Sequence, residues 1–117
     1  MERGRILIMG QTKENTYEIR NLLDKRLYEL EIALSGDVGK LILSQRQMNL
    51  LILHTEMLDS ESQEFFDFLE ESSIELPIFL LGEEARRLRE RLPVRVGVSS
   101  FEKPYAVEEM LTSIKAL

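Results

Sequence analysis

The chain has 117 residues, enough for one domain with a sizeable core and too few for two. Its 15 lysines and arginines against 21 aspartates and glutamates leave a net charge of −6, which argues against direct nucleic-acid binding, normally the task of a basic face. With no cysteine there is no disulfide framework or thiolate zinc site, and no apolar run nears the roughly 18 residues of a membrane span; a cytoplasmic single domain over residues 1–117 is expected.

Arg5-Ile6-Leu7-Ile8-Met9 is a short apolar run closed by Gly10, the pattern of a strand buried on both faces. From Asn15 the period lengthens: Ile19, Leu22, Leu23 and Leu27 recur at helical spacing, with Asn15 or Thr16 as caps. Tyr28 to Leu34 then alternates, with Leu30, Ile32 and Leu34 on one side and Glu29, Glu31 and Ala33 on the other, as in a half-exposed edge strand. Ser35-Gly36-Asp37 breaks that strand, and Asp37 is placed to cap a short helix carrying Val38, Leu41 and Ile42. Leu50 to Leu53 reads as a third strand, with His54 at its end.

A loop through Asp59 and Ser60 leads to a helix containing Phe65, Phe68 and Leu69. After Pro77, the run Ile78-Phe79-Leu80-Leu81 is a fourth strand stopped by Gly82. Glu83 to Leu92 reads as a charged helix with Ala85, Leu88 and Leu92 as a thin apolar stripe. A weaker fifth strand lies within Val94 to Phe101, and Val107, Met110, Leu111 and Ile114 mark a last amphipathic helix. Five strands alternating with five helices imply a doubly wound α/β fold, a parallel sheet covered on both faces. In such sheets the functional crevice lies beyond the carboxyl ends of the strands, where the strand order reverses. The residues to weigh are therefore Gly10 and Gln11, His54 to Glu56, Gly82 and Glu83, and Glu102 to Pro104.

These strand ends resemble, in register along the whole chain, those of response-regulator receiver (CheY-like) domains. Arg5 to Gln11 resembles the receiver opening, in which an isoleucine-rich strand ends in two acids. Asn49-Leu50-Leu51-Ile52-Leu53-His54 resembles the third strand, whose end carries the phosphoacceptor aspartate. Glu64 and Phe65 fall where receivers have a Glu-Leu pair. Leu76 to Gly82 resembles the fourth strand, normally closed by Thr or Ser, and Glu102-Lys103-Pro104-Tyr105 resembles the Lys-Pro-aromatic signature. The resemblance implies the strand order 2-1-3-4-5 and a cis Lys103–Pro104 bond.

What the resemblance implies about chemistry is mostly loss. Receiver phosphorylation uses an aspartate nucleophile, a Mg²⁺ held largely by carboxylate oxygens, a hydroxyl and a lysine. Here the acidic pair matches Gly10 and Gln11, the nucleophile His54 and the hydroxyl Gly82, leaving only Lys103. Neutral imidazole is a poor Mg²⁺ ligand, and with a single histidine and no cysteine a zinc site lacks partners. A degenerate pocket of Gly10, Gln11, His54, Glu56, Gly82 and Lys103 follows, without phosphorylation, metal or cofactor. His54 is expected to fill it, bonded to backbone or to Gln11, with Lys103 turned to Glu56, a carbonyl or solvent.

Function then falls to surfaces. The resemblance implies a docking and dimerisation face made by the fourth helix, fifth strand and fifth helix. That face would carry Arg86, Arg87, Arg89 and Arg91, Phe101 on the strand, and Glu108, Glu109 and Lys115 on the last helix. Mixed charge suits a symmetric pair, while exposed ion pairs are also ordinary solvated surface. The expected role is a phosphorylation-independent regulatory domain, not an enzyme, acting through protein contacts and binding neither DNA nor membrane. Leu76 to Glu83 together with Val98 to Pro104 resembles the N-terminal domain of FleQ-type sigma-54-dependent flagellar regulators. Two alternatives stand beside this: an active receiver using Asp59 or Glu56 as acceptor, and a flavodoxin-like cofactor binder. The second rests on Gln11-Thr12-Lys13-Glu14-Asn15-Thr16, which is similar to a flavodoxin phosphate loop but lacks its glycine and carries a repelling Glu14.

Overall fold

The computed structural model describes residues 4–57, 62–91, 97–102 and 106–116. The elements run β1 (Gly4–Met9), α1 (Lys13–Leu22), β2 (Tyr28–Ala33), α2 (Gly36–Gln45), β3 (Leu50–His54), α3 (Ser62–Glu71), β4 (Ile78–Leu81), α4 (Ala85–Leu88), β5 (Val98–Phe101) and α5 (Ala106–Lys115). Single 3₁₀ turns, Thr55–Met57 and Arg89–Arg91, follow β3 and α4. All five strands are parallel in the order 2-1-3-4-5, as the strand–helix alternation and the resemblance predict.

The sheet owes its stability to strands that are apolar on both sides. Alternate residues Leu7, Met9, Leu51, Leu53, Ile78 and Leu80 face one core with Leu43 of α2 and Phe65, Phe66 and Leu69 of α3. Their neighbours Ile6, Ile8, Leu50, Ile52, Phe79 and Leu81 face the other, with Ile19 of α1 and Met110 and Ile114 of α5. Each such side chain stabilises the fold by about 1.5–3 kcal/mol relative to exposure. Helix α2 lies close to the sheet because Gly39 has no side chain; a Cβ there would come 2.7 Å from the Met9 Cε.

Several local readings need correction. The cap of α1 is Thr12, whose hydroxyl accepts from the Asn15 N–H at 3.2 Å, not Asn15 or Thr16. Thr16 lies buried inside the helix, its hydroxyl donating to the carbonyl of Thr12. Likewise Ser35, not Asp37, caps α2, by accepting from the Val38 N–H. Only a residue with extended φ/ψ can turn its oxygen back onto the first turn, and both true caps have it. Leu27 lies past the end of α1 and is 55 % exposed. Val38 and Leu41 point outward, while Gly39 and Leu43 form the buried stripe of α2.

The fourth helix begins at Ala85 rather than Glu83 and yields to a 3₁₀ turn at Arg89. Gly82 at φ +136° and Glu84 at φ 58° hold the backbone out of the helical region until then. Leu92 and the strand start expected from Val94 lie outside the described residues, and β5 itself is only Val98–Phe101.

Candidate functional site

Strand order reverses between β1 and β3, since β2 flanks β1 on one side and β3, β4 and β5 follow on the other. The crevice beyond the carboxyl ends of these strands is bounded by Gly10 after β1, the 54–57 segment at β3, and Gly82 after β4. The ladder continues past the strands, with the Gly10 N–H donating to Ala33 O and the Gly82 N–H to Phe101 O. Both glycines are therefore fixed in the floor of the crevice.

His54 closes β3 opposite Leu81 and is 8 % exposed. It lies between the two glycines. A Cβ on Gly10 would come 3.5 Å from the His54 Cβ, and one on Gly82 would come 3.4 Å from the His54 Cε1. Its Nδ1 accepts a hydrogen bond from the Glu56 backbone N–H at 3.4 Å. The Glu56 Oε2 lies 3.9 Å from Nδ1.

The carboxylate of Glu56 is the best-anchored charge at this edge. Oε1 accepts from the backbone N–H groups of Gln11 at 2.6 Å and Thr12 at 3.3 Å, and Oε2 accepts from the Asn15 side-chain amide at 2.8 Å. Two successive amides before α1 make a small anion-binding concavity, and charge-assisted bonds of this kind are roughly twice as strong as neutral ones. Asn15, expected as a cap, instead reaches with its amide to the turn after β3.

At the end of β4 a hydroxyl from the neighbouring strand end lies beside Gly82. A Cβ built on Gly82 would overlap the Thr55 Oγ1, so the hydroxyl of the neighbouring strand end stands where a side chain at 82 would begin. Thr55 lies within the 54–56 strand end marked by the sequence, but its place beside Gly82 was legible only once β3 and β4 were paired.

Of the predicted pocket residues, the fold brings Gly10, Gln11, His54, Glu56 and Gly82 together; Lys103, and with it the Lys103–Pro104 bond, lies outside the described residues. Asp59 and Ser60 lie outside them too. Among the described residues no three His, Cys, Asp or Glu side chains cluster as a metal site.

On the far side, α4 and α5 both pack on β5, from opposite faces of the sheet. Arg86, Arg87 and Arg89 are exposed there, as are Glu108, Glu109 and Lys115. Arg87 pairs with Glu84 at 3.2 Å, and the Arg86 N–H donates to Glu102 Oε1 at 3.3 Å. Phe101, expected on this surface, is instead core: it is 7 % exposed and its ring lies 5.0 Å from that of Phe79. The strand ends at Phe101, whose side chain joins the core on the α5 side, and Ser99, on the same face of the strand, is its exposed residue.

No family model matches the sequence, and no curated protein matches it. Solved structures do. The signal receiver domain of an HD domain-containing protein from Pseudomonas fluorescens Pf-5 aligns with a TM-score of 0.79 at 17 % identity, covering 98 % of this chain and 94 % of that one. The chemotaxis response regulator CheY4 of Vibrio cholerae aligns with a TM-score of 0.76 at 18 % identity over 98 % of both chains. Full-length FixJ from B. japonicum aligns with a TM-score of 0.80 at 14 % identity, covering 99 % of this chain and 58 % of FixJ. At these identities the likeness is one of fold. The chain has the CheY-like, flavodoxin-type architecture of response-regulator receiver domains.

Proposed function

We propose that this domain is a regulatory module of a bacterial signalling or transcription-regulating protein, working through protein contacts and without phosphorylation. One observation carries the reading: at the strand ends where the receiver likeness calls for acids and a nucleophile, the residues are Gly10, Gln11 and a buried His54, and the nearby carboxylate of Glu56 is engaged by three donors. A hard dication needs oxygen ligands with free lone pairs, and a phosphoryl group needs an acceptor and room. The same engagement speaks against Glu56 as a substitute acceptor. It speaks equally against a flavin or nucleotide phosphate at Gln11 to Thr16, because the amides such a phosphate would use hold a carboxylate of the chain itself.

Regulation without chemistry requires a partner with differential affinity for two states. The edge formed by α4, β5 and α5 is the proposed docking face, and a second copy of the chain is the proposed first partner. Arginines on α4 and the exposed Glu108 and Glu109 of α5 carry opposite charge, as a two-fold pair would require. The finer assignment, to the N-terminal domain of a FleQ-type regulator, is supported by Leu76 to Glu83 and Val98 to Pro104; it places the domain in the cytoplasm, modulating an ATPase and not touching DNA. A sigma-54-interacting ATPase encoded beyond Leu117 is the expected finding, and its absence would remove that assignment. No helix among the described residues is long and apolar enough to cross a membrane.

The test of the central reading is an amide NMR titration with Mg²⁺ followed by beryllofluoride. No shifts at Gly10, His54 and Gly82 are expected. Saturable shifts there would refute a silent pocket.

A further inference from the structure

We propose that Glu56 is a built-in latch: its carboxylate clamps the loop between β1 and α1 to the end of β3, and so holds the crevice shut from inside the fold. The three donors it engages lie 41 to 45 residues away in sequence and belong to a different βα unit. The turn bearing it is itself secured, because its backbone N–H donates to His54 Nδ1 and the preceding Thr55 Oγ1 fills the space beside Gly82. Residues 54–56 thus tie the ends of β1, β3 and β4 into one unit. The fit is mutual. A Cβ on Gly10 would come 3.2 Å from Glu56 Oε1 and 3.0 Å from the Thr16 Cγ2, so the glycine is what lets the carboxylate fold inward.

The consequence is steric and electrostatic together. The N–H groups ahead of a helix are natural anion donors, and here those of Gln11 and Thr12 already hold a negative charge. An incoming anion would meet like charge and occupied donors until Glu56 is withdrawn. What the latch closes rests on the reading of this edge as a degenerate phosphorylation pocket; that the latch exists does not.

Amide hydrogen exchange on the whole chain reads the contact directly. In Glu56→Ala the Gln11 and Thr12 amides are expected to exchange at least about tenfold faster, as loss of hydrogen bonds to a charged acceptor implies, with Ile8 and Ile52 unchanged. The Gln11 amide proton, short-bonded in the parent, moves upfield in the same variant. Unchanged rates and shift at Gln11 would overturn the proposal. If Glu56→Ala loosens the whole sheet, Glu56→Gln keeps an oxygen acceptor and removes the charge; several-fold faster exchange confined to Gln11 and Thr12 supports the latch, and parent-like rates refute it. Gly10→Ala supplies a second reading. It accelerates exchange at Gln11 in the parent by crowding the carboxylate and adds nothing in the Glu56→Ala background, whereas equal acceleration in both would refute the mutual fit. Beryllofluoride binding by the parent chain would overturn the functional reading while leaving these rates as they are.

Discussion

Replacing Gly82 by alanine should be costly, and much of the cost should depend on Thr55. Gly82 has φ +136°, a conformation side chains rarely adopt, which costs about 1–3 kcal/mol for a non-glycine residue. The new Cβ also overlaps the Thr55 Oγ1, and overpacking of this kind costs about 1–3 kcal/mol more. The sum is a loss of about 2–6 kcal/mol, a large part of the stability of a small domain. In a Thr55→Ala background the hydroxyl is gone, and the nearest remaining atom of residue 55 is its Cβ at 3.4 Å, an ordinary contact. The backbone strain stays and the overlap goes. Urea unfolding followed by circular dichroism, on the four proteins of the cycle, measures the difference. A coupling of about 1 kcal/mol or more corresponds to a midpoint difference of roughly 0.3–1 M for a domain with a slope of about 1–3 kcal/mol/M. If Gly82→Ala costs the same in both backgrounds, within about 0.5 kcal/mol, Thr55 does not occupy that space and the account of the β4 end is wrong.

Changing His54→Asp should not restore phosphorylation: with acetyl phosphate and Mg²⁺, intact-mass measurement is expected to show no added phosphoryl group, because Gly10 and Gln11 offer the metal no carboxylate. Leu80→Ala, fully buried on β4 between β3 and β5, should cost about 2–5 kcal/mol by chemical denaturation. Leu41→Ala should stay within about 0.5 kcal/mol, because Leu41 is 56 % exposed. Asp24 should titrate below the ordinary 3.8, because the Arg26 side chain and backbone N–H both bond its carboxylate. Its contribution to stability is then complete above about 3.8 and is lost as the pH falls through the lower folded-state value. Carboxyl NMR titration checks this, with Arg26→Ala expected to bring the midpoint back up. Reversing Arg86, Arg87 and Arg89 to glutamate should weaken self-association in sedimentation experiments; a parent chain that sediments as a monomer at every concentration would sink the two-fold pair.

The candidate site was legible to different depths at different residues. Gly10, His54 and Gly82 each end an apolar run, and an apolar run of strand length is a local signal, so their convergence on one edge could be read directly. The role of Glu56 could not. Its partners lie on the loop before α1 and in the first turn of that helix, more than 40 residues away, and no periodicity links them to a turn after β3. The relation of Thr55 to Gly82 was hidden for the same reason, since it exists only across the β3–β4 pairing. Phe101 shows a different limit. In a strand, one residue of offset exchanges the two faces, and without the register nothing decided whether Phe101 looked outward or toward Phe79.

The same division runs through the whole molecule. Apolar runs and helical periods along the chain determined by themselves that five strands and five helices alternate, because burial on both faces and amphipathic spacing are local consequences of residue order. Residue identity alone likewise put Gly10, Gln11, His54 and Gly82 at the strand ends. Tertiary structure decided which of several cap-competent residues serve, which way Phe101 turns, and what stands in the crevice beyond the strand ends. Capping needs a particular backbone angle, facing needs register, and filling a space needs atoms from strands that meet only when the sheet has formed; Thr12, Phe101 and Glu56 each acquire their roles at that point.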